Sequence, residues 1–365
     1  MADLAAAAIR RASQQARNAM QQLDAAAVDE LTRIYTDAAE QVRAAIAAAG
    51  DSGGRVRIDQ LRGLLERIDL VLQALARART EVLDSAISQA AELGVRPLTA
   101  AGLAATGRAV QPVLATAEAM RVVDQAVQFV RTFSDANGLV LSDRLWRVDR
   151  GAKEAVHRTV EQAVVQGWSA DKAAMDFMMR GQAVPPATAQ AQGAAAVARV
   201  LTGADHLVGE NTGALANTLR VMRTEVNRAH GEAYMAGAER AGGQVGFRFL
   251  LSPRHPRPDI CDLYARQNLH GLGPGVYPDR KSTPWPAHPN TLSFVVAVFT
   301  DEVSAEDQAG RETTLQALER MAPELRAGVL GPTKAGYFDQ GVLTRGMVRS
   351  RVRDVRQRLG RQGRA

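Results

Sequence analysis

Apolar residues recur along most of this chain at helical spacing, and the places where that rhythm fails are few enough to name. Residues 3–49 are alanine-rich, with large apolar side chains only at Leu23, Leu31, Ile34, Val42 and Ile46, which predicts a helix with a thin sticky stripe. Such a helix is marginal alone and needs a partner. After a break at Asp51-Ser52-Gly53-Gly54, Leu61, Leu64, Leu65, Ile68, Leu72 and Leu75 follow the i, i+3, i+4, i+7 rule of a stronger helix. A third runs through Met120, Val123, Val127 and Val130 and stops near Asn137-Gly138. From residue 141 a start capped by Ser142 leads into a stripe of Leu145, Val148, Ala152, Ala155, Val156 and Val160 that ends at Gly167. Ser169 then opens a short helix through Ala173, Ala174 and Phe177 to Gly181. Leu215, Leu219, Met222, Val226, Ala229 and Ala233, at alternating steps of four and three, mark one long helix that Gly242-Gly243 ends.

Two segments change period. Val245, Phe247, Phe249 and Leu251 alternate, as a half-buried strand does, and residues 292–299 (LSFVVAVF) are apolar on both faces, as a fully buried strand is. The expected fold is therefore mainly α with a small α+β C-terminal domain, in which a short sheet flanks a Pro/Gly-rich loop. Its organisation reads as a helical N-terminal region (1–140), a helical segment (141–182), a linker or hinge (183–210), the α+β domain (211–310) and C-terminal helices with a basic tail (311–365). A length of 365 residues is long for one core and agrees with more than one unit.

Composition narrows the class. Aromatic residues make up only 4% of the chain, so helices packed through small side chains are expected rather than a large aromatic core. A single cysteine cannot form an intramolecular disulfide, and Met1-Ala2-Asp3-Leu4-Ala5-Ala6 lacks the basic-then-apolar order of a secretory signal, which points to folding in a reducing cytoplasm. Charge interrupts every apolar stretch well before the roughly 20 residues of a membrane span, so no membrane association is expected. The net charge of +6 resides in residues 345–365, which hold eight arginines against Asp354 alone. There Val348, Val352, Val355 and Leu359 form an apolar stripe, and Arg349, Arg351, Arg353, Arg356, Arg358 and Arg361 cover the rest of a basic amphipathic helix. Arginine outnumbers lysine throughout, so the clustering carries more meaning than the choice of arginine. With no aromatic side chain among them, contact with double-stranded DNA would be non-specific; an acidic protein surface is the other candidate partner, and a helix docked on its own domain with a solvated face is the plain structural alternative.

Residues 252–293 stand apart, because they hold the one cysteine, three of the six histidines and at least half of the fourteen prolines. Ser252, His255, Pro256, Asp259, Cys261 and Asp262 lie in an S-x-x-H-P-x-x-D-x-C-D order; Gly273, Pro274, Gly275, Val276, Tyr277 and Pro278 follow, then His288-Pro289. This arrangement resembles the signature of phage head morphogenesis proteins, the Mu F-type minor head proteins, whose last block is similar to H-P-x-C-x-C. Thr291 and Ser293 stand here where that family carries its last two cysteines. The helical block from residue 141, the closing block after residue 330 and the triplet Arg223-Thr224-Glu225 before the signature are also similar to the family, so the resemblance covers roughly residues 140–359. It implies a structural, non-enzymatic head protein, a portal protein and a coat or scaffold protein as partners, several copies per particle, contact with packaged DNA, and residence in the virion after assembly in the host cytoplasm.

His255, Asp259, Cys261 and His288 are chemically a zinc set, with His270 to spare, since thiolate, imidazole and carboxylate are zinc's usual ligands. Close C-x-x-C or H-x-x-x-H spacing is absent, and neutral hydroxyls at 291 and 293 are poor donors. The alternative is a loop held by prolines and hydrogen bonds, with Asp259 accepting backbone N–H groups, the histidines satisfied by carbonyls and Cys261 a small buried filler, and with no cofactor. A metal-dependent hydrolase or toxin-like enzyme built on the same four residues is the enzymatic alternative, and a DNA-binding protein acting through its tail is another. A Cys261 nucleophile would need a depressed pKa. Arg223 and Glu225, two apart on a helix, point away from each other, so each needs a partner elsewhere. There is no P-loop, no G-x-G-x-x-G after a strand and no G-x-S-x-G.

Overall fold

The computed structural model of the chain describes residues 2–51, 54–104, 114–135, 137–178, 204–209, 213–253, 255–288, 291 and 293–361. The expected linker at 183–210 lies almost wholly outside them, as do Pro289 and Leu292. In chain order the helices are α1 (Ala2–Ala47), α2 (Ile58–Val95), α3 (Ala100–Ala104), α4 (Thr116–Thr132), α5 (Leu141–Val165), α6 (Ala170–Met178), α7 (Asp205–Val208), α8 (Ala214–Ala241), α9 (Ile260–Arg266), α10 (Ala305–Ala309), α11 (Thr314–Arg320), α12 (Pro323–Leu330), α13 (Pro332–Asp339) and α14 (Val352–Arg361). Three strands, β1 (Gln244–Leu250), β2 (Val276–Tyr277) and β3 (Phe294–Phe299), form one antiparallel sheet in the order β2-β1-β3. The protein is thus mainly helical with a small C-terminal α+β part, as the periodicity predicts. Among the described residues no helix is long and apolar enough to cross a membrane.

Two compact units divide the chain, and neither is a continuous segment. One comprises Met1–Ala19, Ala90–Ala126 and Asn227–Ala365; the other comprises Met20–Gln89 and Val127–Val226.

In the second, all-helical unit the apolar stripes do what their spacing requires: Leu31, Val42, Leu64, Ile68, Leu83 and Val156 are fully or almost fully buried. Charged groups also enter this interior. Arg79, 3% exposed, grips Asp149 with both guanidinium ends, and the Tyr35 hydroxyl meets that of Thr218 at 2.7 Å. Helix α5 begins differently from expectation: Asp143, not Ser142, caps it, its carboxylate accepting the Val140 N–H at 3.2 Å. A carboxylate there also faces the positive end of the helix dipole, which a hydroxyl does not exploit. On α4, which passes from the first unit into the second, Val130 is buried as predicted, but Ala119, Val122 and Ala126 are buried in place of Met120, Val123 and Val127, and Met120 is two-thirds exposed.

The first unit contains the sheet. In β1, Phe247 and Phe249 are fully buried, pairing with Ala297 and Val295 of β3, and Phe247 also faces Tyr277 of β2. Gly246 admits the second neighbour, since a Cβ there would stand 2.5 Å from the Tyr277 carbonyl oxygen. The sheet leans on α8, whose Tyr234 hydroxyl accepts the Ala297 N–H at 3.0 Å. Beyond it, Leu263, Leu318, Val329, Leu330, Met347, Val355 and Leu359 join α9, α11, α12 and α14 in one apolar cluster.

Candidate functional site: the proline- and glycine-rich loop

The loop between β1 and β3 is more ordered than its composition suggests. Asp259 is the N-cap of α9: its carboxylate accepts the Cys261 N–H at 2.7 Å, and Asp262 reciprocates by accepting the Asp259 N–H at 3.0 Å. This is a capping box written with two aspartates. Asp262 is buried and also receives His255, with Nε2 2.9 Å from Oδ2. Asp259 in turn lies 3.7 Å from His255 and 3.1 Å from His288. Four side chains therefore form a run of alternating imidazole and carboxylate, Asp262, His255, Asp259, His288, with Pro256 exposed beside it. His255 is held by the Asp262 carboxylate rather than by the carbonyl that sequence suggests, and His288 stands beside the Asp259 carboxylate.

Behind this run sits Cys261, fully buried, with its Sγ 3.6 Å from the Thr291 hydroxyl. Burial pushes its thiol up to about 11, although the Thr291 and Ser293 hydroxyls act in the opposite direction. A thiol held protonated in this way is not a nucleophile at neutral pH. The Thr291 carbonyl is itself anchored by the Asn227 side chain of α8 at 2.8 Å.

The Gly273-Pro274-Gly275-Val276-Tyr277-Pro278 block serves architecture too. Gly273 and Gly275 adopt positive φ, and a Cβ on Gly275 would lie 2.7 Å from the Ala265 carbonyl, which fixes why glycine is needed there. Val276 and Tyr277 form β2, a strand that sequence alone did not reveal, since two residues carry no period. The Tyr277 hydroxyl accepts Gln267 Nε2 at 2.7 Å and donates to the Tyr264 carbonyl at 3.0 Å; burial holds its pKa far above the ordinary tyrosine value. Pro274 and Pro278 are exposed on either side. Asn268, also missed by sequence reasoning, donates to the Asp307 carbonyl at 2.6 Å and accepts the Gly273 N–H. Trp285 was missed as well, although its signal was a glycine inside a long helix: a Cβ on Gly231 would lie 1.9 Å from Trp285 Nε1.

The other expected site residues lie elsewhere. Glu225, fully buried, takes Arg144 at 2.7 Å; Arg223 lies 3.4 Å from Asp24; and the Thr224 hydroxyl donates to the Arg220 carbonyl. The first two have the separate partners that their spacing demands. In the tail, α14 starts only at Val352, after a short turn at Arg345–Met347, and Val348, Val355 and Leu359 are buried. Arg349, Arg351, Arg353, Arg356, Arg358 and Arg361 all face outward, and Arg349 stands 5.6 Å over the Tyr264 ring.

The metal question turns on the donor set. Asp259, Cys261 and His288 bring donor atoms within 4.8 Å of one another, and so, separately, do His255, Asp259 and Asp262. The four expected ligands thus fall into two overlapping triads rather than one tetrahedron. Around Cys261 the remaining polar neighbours are the neutral hydroxyls of Thr291 and Ser293. A closed structural zinc site takes four N, S or carboxylate donors, so this set does not fit one. Compared with protein-family profiles, with curated proteins and with solved structures, the chain finds no match.

Proposed function

We propose that the chain is a structural minor head protein of a phage or prophage, acting in head morphogenesis close to the portal. The observation that carries this reading is the use to which the signature residues are put. His255, Asp259, Asp262, Tyr277 and His288 engage one another or the local backbone, and the glycines admit close backbone approaches. Residues that resemble a head-protein signature therefore brace a fold rather than converge on a substrate. A hydrolase built on the same cluster is less well supported, because its thiol is protonated and its carboxylates already hold the helix cap and the histidines.

The partners on this reading are a portal protein and a coat or scaffold protein, with several copies entering each particle in the host cytoplasm and remaining in the virion. The test is mass spectrometry of procapsids and filled heads purified from cells that produce both the chain and particles. The chain is expected in those particles. Its presence in those cells but absence from both kinds of particle overturns the proposal.

A further inference from the structure

Away from the loop's histidine–aspartate run, three separate stretches of the first unit converge on one recess of about 430 Å³. Leu269 and His270 line it from the segment after α9, Arg311, Glu312 and Thr313 from the turn before α11, and Arg345 from the short turn before α14. Its walls are tied together. The Asn268 carbonyl accepts the Glu312 N–H at 2.9 Å, the Glu312 carboxylate accepts the Asn268 N–H at 3.2 Å, and Arg311 Nε donates to the Leu269 carbonyl at 3.2 Å. Met347, buried two residues beyond Arg345, seats the turn that carries it.

The charges that face this recess are unbalanced. Arg320 neutralises Glu312 at 2.7 Å, and the Thr313 hydroxyl is spent on the Gln316 N–H and side chain. Arg311 and Arg345 remain. Both are exposed, and among the described residues neither has a carboxylate at ion-pair distance. Beside them the His270 ring, set by an edge contact with Tyr277 at 5.9 Å between centroids, has no hydrogen-bond partner among the described residues. Burial first, then Arg311 and Arg345, lower its pKa against an upward pull from Asp279, so the imidazole is neutral at pH 7 with one ring N–H to donate.

Two uncompensated guanidinium groups on one concave wall call for two negative charges in a compact volume. A carboxylate brings one charge, and so does each phosphodiester of a nucleic acid, whereas a phosphate monoester brings about −1.5 to −2 at pH 7 together with three acceptor oxygens. The volume lies toward the lower end of the range that holds small ligands and leaves room for the organic part of an ester. We propose that the recess binds a dianionic phosphoryl group, free or as a small phosphate monoester, with Arg311 and Arg345 gripping its oxygens and His270 donating to another. The inference stands on charge and geometry, and holds whether or not the chain enters particles.

NMR of the histidine ring protons in the full chain, titrated at constant ionic strength with inorganic phosphate, methyl phosphate, dimethyl phosphate and acetate, tests it; His270→Gln identifies the resonance. Inorganic phosphate and methyl phosphate are expected to raise the His270 pKa saturably, and the two singly charged probes to bind at least about tenfold more weakly. Tighter binding of methyl phosphate than of inorganic phosphate assigns the site to an ester, and the reverse order assigns it to the free ion; both support the proposal. Arg311→Gln/Arg345→Gln should weaken phosphate binding by about tenfold or more while, both side chains being exposed, the melting temperature stays within about a degree or two of the parent. Unchanged affinity in that variant, or no response of His270 to any probe, overturns the site. Acetate or dimethyl phosphate binding as tightly as methyl phosphate overturns the dianion as its ligand.

Discussion

The described helices of residues 20–89, 127–178 and 204–226 and the loop between β1 and β3 bury comparable polar chemistry for different reasons. In the interior of the helices the backbone groups are satisfied by the helix itself, so a charged pair such as Arg144–Glu225 is an addition to a structure that periodic apolar stripes already specify. Among the described loop residues Leu263 and Val276 are the buried aliphatic side chains larger than alanine, and the backbone draws on Asp259, Asp262, Asn268 and Tyr277 for partners. A buried ion pair can be exchanged for apolar groups of like volume. A side chain that satisfies backbone N–H groups cannot.

The sharpest way to break that contrast is to remove one member of each set. Glu225→Ala leaves Arg144, only 14% exposed, without its carboxylate and should cost about 3–5 kcal/mol in urea unfolding. The double variant Glu225→Leu/Arg144→Met should recover most of that loss, because apolar replacement of a buried pair is often neutral. In the loop, Asp262→Ala strands His255 and the Asp259 N–H together and should cost about 3 kcal/mol. Here the matching double variant Asp262→Leu/His255→Leu should recover little, since the Asp259 N–H stays unpaired. Equal rescue in both regions would show that the two are built alike.

The same contrast explains what could be read from the sequence. Helices α1, α2, α5 and α8 and the strands β1 and β3 were legible because burial of one face imposes a period. Three of the four α4 positions were misplaced by one residue, where two alanines, weak in any hydrophobic pattern, lie on the buried side. That Arg223 and Glu225 needed separate partners followed from helix geometry, but Arg144 as one of them did not, since only the tertiary fold brings α5 to α8. In the loop, residue types announced that something specific was held together, and Asp259 was expected to cap backbone N–H groups. The buried carboxylate of Asp262, the strand at Val276–Tyr277 and the packing of Trp285 were not legible. They depend on which backbone passes nearby, not on a repeating pattern.

Glycine sharpens the comparison at smaller cost. Gly231→Ala would place a Cβ 1.9 Å from Trp285 Nε1, against the half-buried indole of the loop, and should destabilise by about 1–3 kcal/mol despite alanine's better helix propensity. Gly151→Ala, in α5 with nothing within 4 Å of the added Cβ, should instead stabilise by about 0.5–1 kcal/mol. Differential scanning calorimetry of the two variants reads both signs. Opposite shifts from the same substitution would locate tight, side-chain-specific packing at the loop and tolerance on the helix surface.

The remaining comparison concerns Cys261 and bears on whether the loop needs an ion. The folded thiol keeps its proton up to about pH 11, whereas its ordinary value is 9.0. Between those pH values the unfolded chain therefore binds fewer protons than the folded one, and the stability this group contributes, fully present below pH 9, is lost as pH rises. Tyr264 and Tyr277, also raised by burial, add to the alkaline decline, so the informative quantity is a difference between variants. Cys261→Ala should cost about 1 kcal/mol at pH 7 through lost packing and should flatten the decline between pH 9 and 11 relative to the parent. A metal held by this thiol would require the thiolate at neutral pH, which erases the parent's cysteine-dependent slope and makes its melting temperature fall in excess chelator. The hydroxyls at 291 and 293 predict the other outcome: a melting temperature indifferent to chelator and a part of the alkaline slope that is lost with Cys261.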